Sequence, residues 1–223
     1  AVLKAFRDLV EKDNVVFVTS AGNAGPALST CGAPCEPLSD VVVGVGAYLS
    51  RDMMSAQYSL LENIPQTAFT WTSVGPSRNG HLGVTIMAPG AAIADVPTWC
   101  LKFKQQMNGT SMASPNAAGV VALILSKLKK DKISYSVPRI VRSIENTAKD
   151  VRGVVKPAQG QGLIQALSAY VFFYFVTLRL IIHNTRTHKQ IRTRRGKCRV
   201  CDVRTALSCE RVRWSWYLLE RTT

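Results

Sequence analysis

The run Ala117-Ala118-Gly119-Val120-Val121-Ala122-Leu123-Ile124-Leu125 carries no polar side chain. An element apolar on every side predicts a helix buried in a core. Near the start, Val2, Ala5, Phe6, Leu9 and Val10 recur at helical spacing and predict a first helix. Val15-Val16-Phe17-Val18-Thr19 is a β-branched and aromatic run, the pattern of a buried strand, and Val41 through Ala47 is a second strand candidate. Ser136-Val137-Pro138-Arg139 opens another helix, with Ser136 as its cap and a proline in its first turn. Ile140, Val141, Ile144 and Ala148 form that helix's apolar stripe.

Directly before the longest apolar run stands Asn108-Gly109-Thr110-Ser111-Met112-Ala113-Ser114-Pro115. This small-residue turn puts the Ser111 hydroxyl where the helix begins. A helix amino terminus carries unpaired N–H groups and roughly half a positive charge. It therefore favours the oxyanion formed when a serine attacks a carbonyl. A nucleophile on a buried helix is also held rigidly, as covalent catalysis requires. The other reading is a capped core helix with an exposed serine. Upstream, the first strand ends in Ser20-Ala21-Gly22-Asn23-Ala24-Gly25-Pro26, whose glycines let the backbone turn and approach a ligand. Asn23 offers an amide donor at a strand's carboxyl end, where open parallel sheets place their sites. Taken alone, the segment also reads as an ordinary asparagine-glycine turn.

The Ser111 octapeptide resembles the serine signature of the subtilisin-like serine peptidases. Further segments resemble that family in the same order: Phe69 through Ser77 its Ser-x-Gly-Pro turn, Val84 through Gly90 its strand into an Ala-Pro-Gly turn, and Gly160-Gln161-Gly162-Leu163-Ile164 its closing turn. Gly46 through Met54, Gln57 through Leu60, Ala92 through Trp99, Met107 through Thr110 and Ser114 through Ala117 look like the tripeptidyl-peptidase II branch. Most members of the family have a histidine where Asn116 stands.

The resemblance spans residues 1–168 and implies a partial subtilisin-like α/β domain, a mostly parallel sheet with helices on both faces. It implies Ser111 as nucleophile and Asn23 with the Ser111 N–H as the oxyanion hole. Ser20, Ala21 and Gly22 would be part of the pocket for the side chain before the scissile bond. It also implies peptide substrates, release of tripeptides from free amino termini, a cytosolic location and very large homo-oligomers of the full-length protein. No cofactor, metal, membrane or nucleic acid is expected.

A serine peptidase also needs a base and a carboxylate to orient it. The family's Asp-Thr/Ser-Gly and His-Gly-Thr motifs do not occur here. Ala1 already falls in the helix before the oxyanion strand, so a fragment with little activity of its own is expected. His81 sits in the glycine-rich turn Asn79-Gly80-His81-Leu82-Gly83, and His183 and His188 lie past the closing segment. The alternative from another class is a non-catalytic truncated product that binds partners.

The net charge is +14, and from Arg179 onward 12 Lys/Arg stand against 3 Asp/Glu. The composition changes just after Tyr170, where Val171 through Leu178 is an apolar aromatic burst, too short to span a bilayer with its about 20 apolar residues. A basic run from Arg186 to Arg204, Cys198, Cys201 and Cys209, and Arg213-Trp214-Ser215-Trp216-Tyr217 follow. Nucleic-acid binding, a zinc site and a misjoined or alternative reading of the gene all fit this tail. Its start at the end of the resemblance favours the third, a disordered or sticky extension over 169–223. No secretory signal begins the chain, since Lys4, Arg7 and Asp8 interrupt any apolar run. Cys31, Cys35 and Cys100 are scattered, as suits free thiols in a reducing compartment. Cys31 with Cys35 has metal-ligand spacing, but the second pair a zinc site needs is not nearby.

Overall fold

The computed structural model describes residues 2–38, 41–60, 62, 64–95, 99 and 104–194. The calls on Cys100 and on the tail from residue 195 onward fall outside them. The chain divides into two units, Ala1–Val176 and Thr177–Thr223. In the second, the described residues 177–194 are helical.

In the first unit, helix α1 (Val2–Glu11) leads to strand β1 (Val18–Ser20), then strand β2 (Val43–Leu49), helix α2 (Arg51–Tyr58) and strand β3 (Thr67–Ala68). Strand β4 (Ile86–Pro89), the hairpin of β5 (Ala91–Asp95) with β6 (Lys104–Asn108), and helix α3 (Thr110–Lys130) follow. Helices α4 (Val137–Thr147), α5 (Lys156–Gln159) and the first part of α6 (Ala166–Arg194) complete the order in this unit. The centre of the sheet is β2, buried at every residue. It pairs in parallel with β1 through Val18↔Val43 and with β4 through Val45↔Ile86. It pairs antiparallel with β3 through Tyr48↔Ala68. The expected mostly parallel α/β architecture is present.

Period-2 alternation sorts the sheet's side chains into two layers. Val43 and Val45 with Ile86 and Ala88 face the helical layer, where Ala113, Ala117, Val121, Ile124 and Leu128 of α3 meet Ile140 and Ile144 of α4. On the opposite face Tyr48 and Met87 pack on Val151. There the segment from Lys149 to Leu163, with the single turn of α5, closes the domain. Leu163 bridges both Met87 and Lys149, and Ile164 donates to Met87 O at 2.9 Å. This closing turn depends on Gly160, whose φ is +62° and whose β-carbon would run into the Thr85 carbonyl. Gly160→Ala is expected to destabilise the domain by about 1–3 kcal/mol from backbone strain alone, with more from that contact. Urea unfolding of the chain checks it; an unchanged midpoint would show that the turn can relocate.

Three expectations are corrected. The first strand begins at Val18, because Val15 N–H bonds back to Leu9 O at 3.1 Å and Phe17 is held edge-on by Phe6, centroids 4.6 Å apart. The second spans Val43–Leu49 rather than 41–47, since the N–H groups of Val41 and Val42 both close on Leu38 O. Helix α3 is not buried on all sides. Its buried residues form one stripe, whereas Ala118, Gly119, Ala122 and Leu123 are exposed, Leu123 at 67 %. By length and composition α3 would pass as a membrane span, but its stripe is packed on the sheet.

The start of the tail also departs from expectation. Ala169 and Phe173 lie on α6 in the helical layer of the core. The Tyr170 hydroxyl donates to Asp131 Oδ2 at 2.6 Å, and the Arg139 guanidinium sits 4.6 Å over the Phe173 ring. Spacings of three and four place these residues on one helix face, a short stripe that the surrounding apolar burst concealed.

Candidate active site

Two distant asparagines cap helices α3 and α4 of this unit. The first N–H groups of a helix have no carbonyl within it and need an outside acceptor. For α4 the expected Ser136 cap is not made. Instead Asn14 Oδ1 accepts from Val137 N–H at 3.0 Å, while Asn14 Nδ2 donates to Tyr135 O at 3.0 Å. For α3 the residue before the helix is Gly109, which has no side chain to offer. Asn23 supplies the acceptor from 87 positions upstream: its Oδ1 takes hydrogen bonds from Thr110 N–H at 3.0 Å and Thr110 Oγ1 at 2.8 Å.

This double contact brings together the two segments that stood out in the sequence. Asn23 follows β1 by three residues, and Ser111 is the second residue of α3. Both are exposed. The carbonyl oxygen of Asn23 is engaged, so its remaining capacity is the Nδ2 donor, which has no partner among the described residues. The Ser111 N–H, in the unpaired first turn, likewise has none there; the N–H groups after it, of Met112 and Ala113, turn back to Gly109 O. Two open donors thus flank one junction at the positive end of a helix of 21 residues. Among the described residues the one hydrogen bond of the Ser111 hydroxyl is to Met112 Sδ, at 3.4 Å. Glycine at 109 keeps that hydroxyl clear, since a β-carbon there would lie 2.9 Å from it.

The scaffold behind the junction is tied from several sides. Gly109 N–H bonds to Gly90 O and Gly90 N–H to Tyr48 O, both at 2.9 Å, which links the start of α3 to the central strand. On the Asn23 side, Ser73 N–H donates to Gly22 O at 2.9 Å, and Ser73 Oγ accepts from Ala24 N–H at 3.1 Å. Gly22 has φ +111°, and a β-carbon on it would lie 2.8 Å from Ser73 Oγ. Of the pocket residues expected from the sequence, Ser20 and Gly22 are half-buried and Ala21 is fully buried. Ala21 can therefore shape a wall only from behind. His81 is exposed, in a turn closed by Ser77 Oγ accepting from its N–H at 3.1 Å. Thr110 is the site residue that sequence reasoning missed. It is 1 % exposed, and the only signal for it was a hydroxyl residue beside Ser111 in an uncapped first turn.

A profile of the subtilase family matches residues 3–162. Tripeptidyl-peptidase 2 of Drosophila melanogaster is 48 % identical over 164 residues, which are 73 % of this chain and 11 % of that protein. Its counterpart in Arabidopsis thaliana is 46 % identical over 168 residues, 74 % of this chain and 12 % of that protein. The chain thus spans about an eighth of the length of these relatives. Among solved structures, the crystal structure of tripeptidyl peptidase 2 matches with a TM-score of 0.57 and 40 % identity, covering 76 % of this chain and 12 % of that one. The prenylagaramide maturation protease PagA matches in fold, with a TM-score of 0.60 at 20 % identity over 77 % of this chain and 55 % of its own. The matched profile covers both the Asn23 turn and the Ser111 helix, and on that match the chain belongs to the subtilase family of serine peptidases.

Proposed function

We propose that this chain supplies the nucleophile and the oxyanion hole of a peptidase that removes tripeptides from free amino termini. The observation that carries the reading is the pair of bonds from Thr110 to Asn23 Oδ1, which leaves Nδ2 open beside Ser111. In the proposed reaction Ser111 Oγ attacks the scissile carbonyl, and its proton passes to a base. The carbonyl oxygen becomes an oxyanion held by Asn23 Nδ2 and the Ser111 N–H. Collapse of this intermediate expels the amine and leaves an acyl-enzyme, which water then hydrolyses. Ser20 and Gly22 border the side chain before the scissile bond.

Residues 1–223 contain no Asp-Thr/Ser-Gly or His-Gly-Thr motif, so the base and its carboxylate have to come from elsewhere in a longer protein. The tripeptidyl specificity is carried over from the tripeptidyl-peptidase 2 relatives, and homo-oligomeric assembly and a cytoplasmic location are proposed from the sequence resemblance alone. The test is labelling with a fluorophosphonate probe, applied to this chain, to Ser111→Ala and to a protein extended upstream. Labelling of the extended protein that depends on Ser111 supports the reading. No labelling of either form would favour a non-catalytic chain.

Thr110 acts through Asn23 as a positioning residue. Thr110→Val keeps the N–H bond but removes the hydroxyl donor, worth about 0.5–1.5 kcal/mol. In the extended enzyme kcat is expected to fall about 3- to 10-fold with KM unchanged. A change confined to KM would place Thr110 in substrate binding instead.

A further inference from the structure

Two thiols lie immediately behind the Asn23 turn. Cys31 and Cys35 are both buried and unpaired by any disulfide. They meet at Gly83: the Cys35 thiol donates to Gly83 O at 3.0 Å, and Cys31 Sγ would lie 2.9 Å from a β-carbon on that glycine. The turn between them is closed by Glu36 N–H to Gly32 O at 2.9 Å. The two thiols are also near enough for their titrations to be linked through a sulfur–sulfur hydrogen bond when Cys31 is ionised. That bond holds the Cys31 thiol below the usual thiol range, against the opposing effects of burial and Glu36, and holds Cys35 well above it. With its thiol committed to Gly83 O, Cys35 is the resolving sulfur and Cys31 the attacking one.

The loop that carries Cys31 is hydrogen-bonded to the site. Thr30 N–H donates to Val74 O, and Gly32 N–H to Ala21 O, each at 3.0 Å. Ala21 and Cys31 share one buried cluster with Val84. Ala21 stands two residues before Asn23, so any shift of Cys31 is transmitted through the Gly32–Ala21 bond to the turn bearing the amide donor.

We propose that Cys31 and Cys35 form a peroxide-sensitive dithiol whose closure to a disulfide displaces the Asn23 turn. Hydrogen peroxide is the oxidant. The Cys31 thiolate attacks one peroxide oxygen, an S–O bond forms and the O–O bond breaks. The leaving hydroxide takes up a proton as water, and Cys31 is left as a sulfenic acid. Cys35 sulfur then attacks Cys31 sulfur, the S–O bond breaks, and the oxygen leaves with the Cys35 proton as a second water. Two thiols have lost two electrons and two hydrogens, and one peroxide has become two waters. The sulfurs must draw in from hydrogen-bond contact to about 2.05 Å. Cys35 is pinned on Gly83 and packed against Gly44, so Cys31 is the side that moves. A dithiol reductant reverses the change.

The test uses the full chain treated with hydrogen peroxide, alkylated and digested with trypsin. The peptide from Asp13 to Arg51, which holds both thiols, is expected to lose about 2 Da and take up no alkyl group. Cys35→Ser is expected to stop at a dimedone-trapped sulfenic acid on Cys31. Hydrogen exchange over residues 20–26 is expected to rise on oxidation and to return with dithiothreitol. Two alkylated thiols after peroxide, or a disulfide that leaves that exchange unchanged, would overturn the proposal. The effect on catalysis rests on the reading of Asn23 as an oxyanion donor. In the extended protein, fluorophosphonate labelling is expected to fall at least about tenfold on oxidation. Labelling absent in both redox states would count against the Ser111 reading alone, since mass and exchange are read independently of it.

Discussion

Ser111→Ala is expected to abolish fluorophosphonate labelling and peptide turnover of the extended enzyme while leaving the fold intact. Ser111 is exposed, and among the described residues its hydroxyl hydrogen-bonds to Met112 Sδ alone, so removing it costs almost no packing. Alanine is also the better helix former at this second position of α3. Stability should therefore stay within about 0.5 kcal/mol of the parent. Turnover should fall by on the order of a million-fold, a magnitude carried over from subtilisin itself rather than obtained from this structure. Steady-state kinetics with a peptide substrate, paired with thermal unfolding of the same preparation, measures both halves. Wild-type turnover in the variant would remove Ser111 from the mechanism.

The second large effect is at Asn23, where two variants separate the cap on Thr110 from the proposed oxyanion donor. Asn23→Leu removes both the cap on Thr110 and the Nδ2 donor. It should lower kcat by about 100-fold or more and also cost about 1–2 kcal/mol of stability through the lost cap. Asn23→Asp keeps an oxygen for Thr110 N–H and Oγ1. Aspartate caps as well as asparagine, and its charge suits a helix amino terminus. Stability is then expected to hold or rise. Turnover should still fall by about 100- to 1000-fold, again a subtilisin magnitude, because a carboxylate offers the oxyanion no hydrogen bond. KM should barely move in either variant. If Asn23→Asp kept wild-type kcat, Asn23 would be a structural cap and nothing more.

Periodicity made the sheet and its helical layer legible. The continuous apolar character of β2 reflects burial on both faces, and the α4 stripe of Ile140 and Ile144 is where it was expected. What stayed hidden was information held in pairs of distant residues. Nothing near Ser136 or Gly109 announces that their helices are capped by Asn14 and Asn23. The exposed face of α3 was concealed because Ala118, Ala122 and Leu123 are as apolar as the buried stripe. Strand β6, Lys104–Asn108, is polar and mostly exposed, so it carries no alternation to read. At the site, Ser111 and Asn23 were marked by the company of glycines and small residues. Thr110 was not, because its role exists only once residue 23 arrives beside it.

The span between Asn23 and Thr110 has a consequence for how the chain is made. The donor pair cannot be assembled by local helix formation, because Asn23 reaches the start of α3 through Thr110, 87 residues away. On a ribosome, Asn23 emerges long before Ser111. On the reading proposed above, Ser111 acquires its oxyanion partner only when α3 docks on the sheet. A growing chain would then carry an unarmed hydroxyl, and the proposed reactivity at Ser111 would arise together with tertiary structure. In the extended protein, loss of probe labelling along a denaturant series should accordingly coincide with loss of the whole domain and not precede it.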